Sequence, residues 1–164
     1  SFGEDTWSRI QSSAAMEDDH FLSLRNYEDE LVYNLVGAAA DELQLDAGTL
    51  LEEFGKHWVL VTMTGHYEQM LKSYGKNAWD LLANLNLMHT HIRSTFLHYK
   101  HPYFELVKEN ERDAKLHCRS VRVGLTPFVS GLIEGIATYY GETIEVLKIE
   151  HSPVDEGEHT ICRR

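Results

Sequence analysis

Apolar residues recur at helical spacing through roughly the first half of the chain and in shorter, strand-like runs after it. Leu31, Leu35, Val36, Ala39 and Leu43 repeat with a period close to 3.6, which predicts a helix over Asp29–Leu43. Leu50, Leu51, Phe54, Trp58, Val61 and Thr62 form the inward face of a second helix that Gly65 ends. Thr49 is its expected N-cap, with Glu52 completing a capping box. Ahead of these, Asp5–Ser13 reads as a short helix with Asp5 as cap and Trp7 and Ile10 three apart; residues 14–26 are polar and broken and read as a loop. Tyr67–Tyr74 supports two turns closed by Gly75. Asn77 then caps a longer helix whose stripe, Ala78, Leu82, Leu85, His89, Ile92 and Phe96, steps by four and three residues in turn. Asp80 in its first turn suits the positive end of the helix dipole.

After Pro102 the pattern changes. Tyr103–Val107 and Ala114–Val123 read as a hairpin turning near Glu111, Arg112 and Asp113. Leu125–Tyr140 is a helix, with Pro127 tolerated in its first turn and Gly141 as its stop. Glu145–Ile149 and His159–Cys162 form a last hairpin around Pro153, Asp155 and Gly157. Helices, hairpin, helix, hairpin describe an α+β fold: a helical N-terminal subdomain and a C-terminal subdomain with a four-stranded antiparallel sheet and helices. At 164 residues this is one domain with enough chain for a substantial core.

Charge and composition narrow the function. A formal net charge of −11 argues against general nucleic-acid binding, which needs a basic surface. No apolar run is long enough to span a membrane. The acidic start, Gly3-Glu4-Asp5, lacks the layout of a signal peptide. Two cysteines, Cys118 and Cys162, make neither a disulfide framework nor a four-sulfur metal site, and a cytoplasmic location is expected. No nucleophile-and-base set, glycine-rich phosphate loop or paired acids at helical spacing points to catalysis, so no enzyme activity is expected.

His89 is the polar member of an apolar stripe. An imidazole there is either a core histidine bonded to a backbone carbonyl, the reading favoured by the stripe alone, or a metal ligand, imidazole being the commonest protein ligand for iron and zinc. Zinc is disfavoured: His89 and His91, two residues apart on a helix, point roughly 200° apart, and His98 and His101 have no cysteine or carboxylate to complete a tetrahedral set. On the second strand, Leu116, Cys118, Ser120 and Arg122 share one face by alternation. Thiol, hydroxyl and guanidinium in a row either grip a ligand's carboxylates or simply face solvent.

Taken in order, these pieces resemble a known family. Asn84-Leu85-Asn86-Leu87-Met88-His89, Pro102-Tyr103-Phe104, Cys118-Arg119-Ser120-Val121-Arg122, Gly124-Leu125-Thr126-Pro127-Phe128 and Gly131-Leu132-Ile133-Glu134-Gly135 follow one another as in the haem nitric oxide/oxygen-binding (H-NOX) domain of bacterial gas sensors and the soluble guanylate cyclase β subunit. Gly3-Glu4-Asp5-Thr6-Trp7 and Phe54-Gly55-Lys56-His57-Trp58 also look like the family. The resemblance covers essentially the whole chain. It implies a single domain over 1–164, with a distal helical subdomain over 1–65 and the ligating helix, sheet and C-terminal helix over 66–164, haem lying between them. The chain begins where the family's second helix begins, so the family's first helix is absent from this sequence. A second departure is Cys118, which stands where the family's Tyr-x-Ser-x-Arg motif has tyrosine.

The resemblance implies haem b (iron protoporphyrin IX) with His89 as axial iron ligand. It further implies that Ser120 and Arg122 hold the propionates, with Cys118 a weakened third contact, and that Pro102 presses on the macrocycle. Trp58 and Phe128 would form the distal side. It implies sensing of nitric oxide and carbon monoxide by breaking of the iron–histidine bond and subdomain movement, with a histidine kinase, a cyclic-dinucleotide enzyme or a cyclase as partner. Oxygen-binding members place a tyrosine early in the helix where this chain has Pro127 and Phe128; Tyr139 is eleven residues beyond Phe128 and too distant to substitute. Discrimination against oxygen is therefore expected. The competing expectation is a haem-free interaction or regulatory domain of the same fold. A small haem enzyme would want a distal base, and no histidine matches the distal positions. A reactive role for Cys118 beside Arg119 is the lesser alternative to a tolerated replacement.

Overall fold

The computed structural model describes residues 3–16, 27–95, 102–110, 112–120, 122, 124–152 and 157–163. Phe96, His98 and His101, together with residues 17–26 of the expected loop and the Pro153–Asp155 part of the expected last turn, lie outside the described residues. Contacts divide the chain into two compact units, Ser1–Leu51 and Glu52–Arg164.

The first unit holds α1 (Glu4–Ser13), α2 (Asp29–Leu43) and the start of α3 (Ala47–His57). The cap of α1 is Gly3 at φ 81°, not Asp5; Glu4 and Asp5 sit in the first turn, where they favour the dipole. α2 has the expected bounds and packs on α1, with Arg9 paired to Glu42 at 2.6 Å. α3 starts two residues ahead of the expected cap Thr49. Asp46 does the capping: its carboxylate accepts the Thr49 amide at 3.1 Å and its carbonyl accepts Leu50 N–H at 2.9 Å. An aspartate just ahead of Ala-Gly outcompetes a β-branched threonine as the chain's turning point.

In the second unit the helix of α3 widens into a π-helical segment, Trp58–Met63, and resumes as α4 (Thr64–His66). α5 (Glu68–Tyr74) ends at Gly75 as expected. The long capped helix is two: α6 (Ala78–Ala83) and α7 (Leu85–Thr95). Asn77 caps α6, accepting Asp80 N–H at 2.8 Å and donating its amide to the Asp80 carboxylate at 3.0 Å. Asn84 breaks the helix, its side chain donating to the Tyr74 carbonyl at 2.8 Å. The inward stripe survives the break: Ala78, Leu82, Leu85 and His89 are buried.

The sheet contains β1 (Tyr103–Lys108), β2 (Asp113–Arg119), β3 (Glu145–Ser152) and β4 (Gly157–Arg163), all antiparallel in the order β1-β2-β4-β3. Asn110 shapes the first turn, its side-chain oxygen accepting the amides of Arg112 and Asp113 at 2.8 and 2.9 Å. Ala114, Leu116 and Cys118 face inward with Phe104. α8 (Thr126–Tyr139) carries Pro127 in its first turn. It lies against α3 and the π segment so closely that a Cβ on Gly131 would fall 1.9 Å from the Glu52 carbonyl oxygen, and one on Gly55 would fall 2.3 Å from that of Phe128. Tyr140, just beyond α8, donates to the Gly75 carbonyl at 2.8 Å, and its hydroxyl is made harder to ionise chiefly by burial. The continuous core runs from Val59 and Met63 through α5–α7, β1 and β2 to α8 and Ile144.

Candidate functional site

α7 presents its two histidines differently, as helical geometry requires. His89 is buried beside Leu85 and Met88, with its ring centroid 5.8 Å from that of Phe104 on β1. His91 is exposed, and its Nδ1 meets the Tyr74 hydroxyl, the rings 5.8 Å apart. Among the described residues no three His, Cys, Asp or Glu side chains gather as a metal-binding group. A buried imidazole with no such group gathered around it among the described residues suits a metal that arrives with its other ligands already in place, which a porphyrin supplies. In that sense the described residues fit an iron porphyrin.

Phe104 is the local pivot. Asn86, three residues before His89, accepts the Phe104 N–H at 2.8 Å and donates its amide to the Phe104 carbonyl. Phe104 pairs across the ladder with Cys118, and Tyr103 with Arg119. Pro102, half-buried, leads into β1 two residues earlier. The helix carrying His89, the proline and the inner face of β2 are thus brought to one corner of the second unit.

The polar row on β2 is altered from expectation. The strand ends at Arg119, so Ser120 and Arg122 lie past it rather than on its face. Ser120 is half-buried and its hydroxyl accepts the Arg122 N–H at 3.1 Å, a local turn that ends strand alternation; the Arg122 side chain is exposed. Cys118 is buried on the inner face among core residues. Arg119 is exposed, its guanidinium 6.0 Å from the Tyr103 ring centroid.

Trp58 opens the π segment and packs, partly buried, against the core. Phe128 stacks on Phe54, centroids 5.6 Å apart. Tyr139 is engaged elsewhere: its hydroxyl donates to Glu68 at 3.5 Å and its ring meets Tyr140 edge-on. Glu52, on the α3–α8 seam, keeps its proton more tightly than an ordinary glutamate, first through burial and then through Glu134 and Glu53. Sequence reasoning missed the Asn86 clamp and the Tyr74–His91 contact. The available signal was Asn86 itself, a good hydrogen-bonding side chain three residues from His89 and so on the same face.

Comparison with known proteins gives the family and the fold. The family model described as Haem-NO-binding matches residues 1–148. Soluble guanylate cyclase gcy-31 of Caenorhabditis elegans is 28% identical over 165 residues, covering 99% of this chain and 23% of the relative. The guanylate cyclase soluble subunit beta-2 of Rattus norvegicus is 26% identical over 100 residues, covering 61% of this chain and 15% of the relative. The chain thus spans less than a quarter of the length of these curated relatives. Among solved structures, the Fe(II) unliganded H-NOX protein from K. algicida superposes with a TM-score of 0.83 at 19% identity, covering 99% of this chain and 86% of that one. The H-NOX protein from S. oneidensis in the Fe(II)NO ligation state gives 0.82 at 16% identity, covering 99% and 90%. These likenesses establish the fold. Among the described residues no helix is long and apolar enough to cross a membrane.

Proposed function

The chain belongs to the haem-NO-binding family of gas-sensor domains, and on that premise we propose that it is a haem-based sensor of nitric oxide and carbon monoxide with His89 as the axial iron ligand. The observation that carries this is the seat of His89: buried, on a short helix of its own, its ring against Phe104 of the sheet. When bound, haem b would supply an iron centre able to take up a diatomic gas. The Ser120 hydroxyl and Arg122 guanidinium, close in sequence at the end of β2, are suited to its two carboxylates. Pro102, at the start of β1, is suited to stiff contact with the macrocycle. Cys118 contributes apolar packing in place of a hydroxyl contact.

Discrimination against oxygen draws on the distal candidates among the described residues. Bound dioxygen is polar and is held by a distal hydrogen bond. Phe128 offers none, and the Tyr139 hydroxyl is given to Glu68; the Trp58 indole is the remaining donor among the distal candidates. His89 is also the residue through which a change at the metal reaches α7, and from α7 the sheet and a signalling partner: a histidine kinase, a cyclic-dinucleotide enzyme or a cyclase. A second reading, a haem-free interaction domain of this fold, draws on Cys118, buried in the core where the family's motif has tyrosine.

The purified protein's visible spectrum tests both. A strong Soret band is expected, shifting with nitric oxide and carbon monoxide and unchanged by air in the ferrous state. His89→Gly should lose the band, and added imidazole should restore it. A colourless wild-type protein that takes up no haem would establish the second reading instead.

A further inference from the structure

Asn86 gives both ends of one carboxamide to one residue of β1. It accepts the Phe104 N–H at 2.8 Å and donates to the Phe104 carbonyl. β1 is an edge strand of the sheet. An edge strand has a row of backbone donors and acceptors with no neighbouring strand, and the Asn86 amide occupies the place a neighbour's peptide group would take. α7 is thereby joined to the sheet through the hydrogen-bond pattern that joins strands. Asn86 and His89 share a face of α7, and the His89 ring lies beside the ring of the residue that Asn86 holds.

On its other flank α7 is tied to α5. Asn84, at its N-terminal end, donates to the Tyr74 carbonyl at 2.8 Å, and His91 meets the Tyr74 hydroxyl. We infer that Asn86 is a positioning residue: it fixes the place of the His89 imidazole by making α7 an extension of β1, and it carries displacement of that imidazole into the strand that begins after Pro102. The inference rests on the reading of His89 as iron ligand. The chemistry of asparagine is specific to the role. Aspartate keeps the acceptor for the Phe104 N–H and loses the donor to its carbonyl; leucine, of similar size, loses both.

The test compares wild type, Asn86→Asp and Asn86→Leu. Backbone amide exchange at Phe104, followed by NMR on haem-free protein, reads the clamp itself. Asn86→Leu should speed exchange on the order of tenfold, the worth of a hydrogen bond at the upper end of its usual range, and Asn86→Asp should leave that N–H protected. The iron–imidazole stretching band of the ferrous haem-loaded proteins, read by resonance Raman, reports the place of His89. It should be sharp in wild type, and broadened and shifted in both variants, more so for leucine. Equal exchange in all three proteins, or the same band in all three, overturns the inference while leaving His89 as ligand intact. A wild-type protein without haem uptake overturns the ligand reading and, with it, the positioning role. Should Asn86→Leu fail to fold, Asn86→Asp alone decides: an unaltered band overturns the proposal.

Discussion

Among the described residues, Ser1–Leu51 buries Ile10, Ala14 and Ala40 and leaves Trp7, Val32, Tyr33 and Leu45 substantially exposed. Glu52–Arg164 contains the whole continuous core, including the fully buried Leu81, Leu82, Leu116 and Ile133. One unit is two helices pinned by a surface ion pair. The other is a sheet covered by helices that approach to backbone contact. The second has the packing to hold a side chain such as His89 in one orientation. The first buries few apolar side chains among the described residues.

The contrast can be broken by mutation. Leu116→Ala should cost about 2–5 kcal/mol, the range for emptying a packed leucine site, whereas Val32→Ser in the first unit should stay within about 0.5 kcal/mol. Equal losses in denaturant melts would erase the difference between the units. Asn77→Ala removes the cap of α6 and should cost about 1 kcal/mol; a neutral result would mean that core contacts alone hold α6. Arg9→Ala in the first unit should cost under about 1 kcal/mol and less still in high salt, because the pair with Glu42 is exposed. Smallest is Glu52→Gln on the seam. Because the folded state holds the Glu52 proton more tightly than the unfolded chain does, stability falls as pH rises from the ordinary carboxylate range through the raised value. The variant should therefore melt slightly higher than wild type at pH 7, by less than about 2 °C, with the advantage vanishing in acid.

Much of this second unit was legible in the chain, for a stated reason in each case. The stripe from Ala78 to His89 has a strict helical period, and burial follows it even across the break at Asn84. Gly75, Asn77, Pro127 and Gly141 punctuate as their backbone chemistry dictates. The hairpins follow runs of strand-forming residues. What stayed hidden depends on partners distant in sequence. Asn84 leaves the helix for the Tyr74 carbonyl, and Asn86 reaches a strand that starts after Pro102; neither partner is visible from local spacing. The end of β2 at Arg119 comes from a Ser120 hydroxyl turning back on Arg122, a local bond that alternation cannot anticipate. His89 was the most legible candidate, because a polar group in an apolar stripe calls for an explanation. Ser120 and Arg122, expected on the face of β2, lie past its end.

The π-helical segment at Trp58–Met63 has a consequence for how this chain can vary in length. A widened turn accommodates one more residue than the α-helix it interrupts, so a deletion there can be absorbed by closing the turn to ordinary pitch. Everything that follows Met63 would keep its phase. Elsewhere in the same rod a single lost residue swings all later side chains by roughly 100°. Indels in this helix should therefore collect around Trp58, and shortening it by one residue should re-aim that indole while leaving the fold standing.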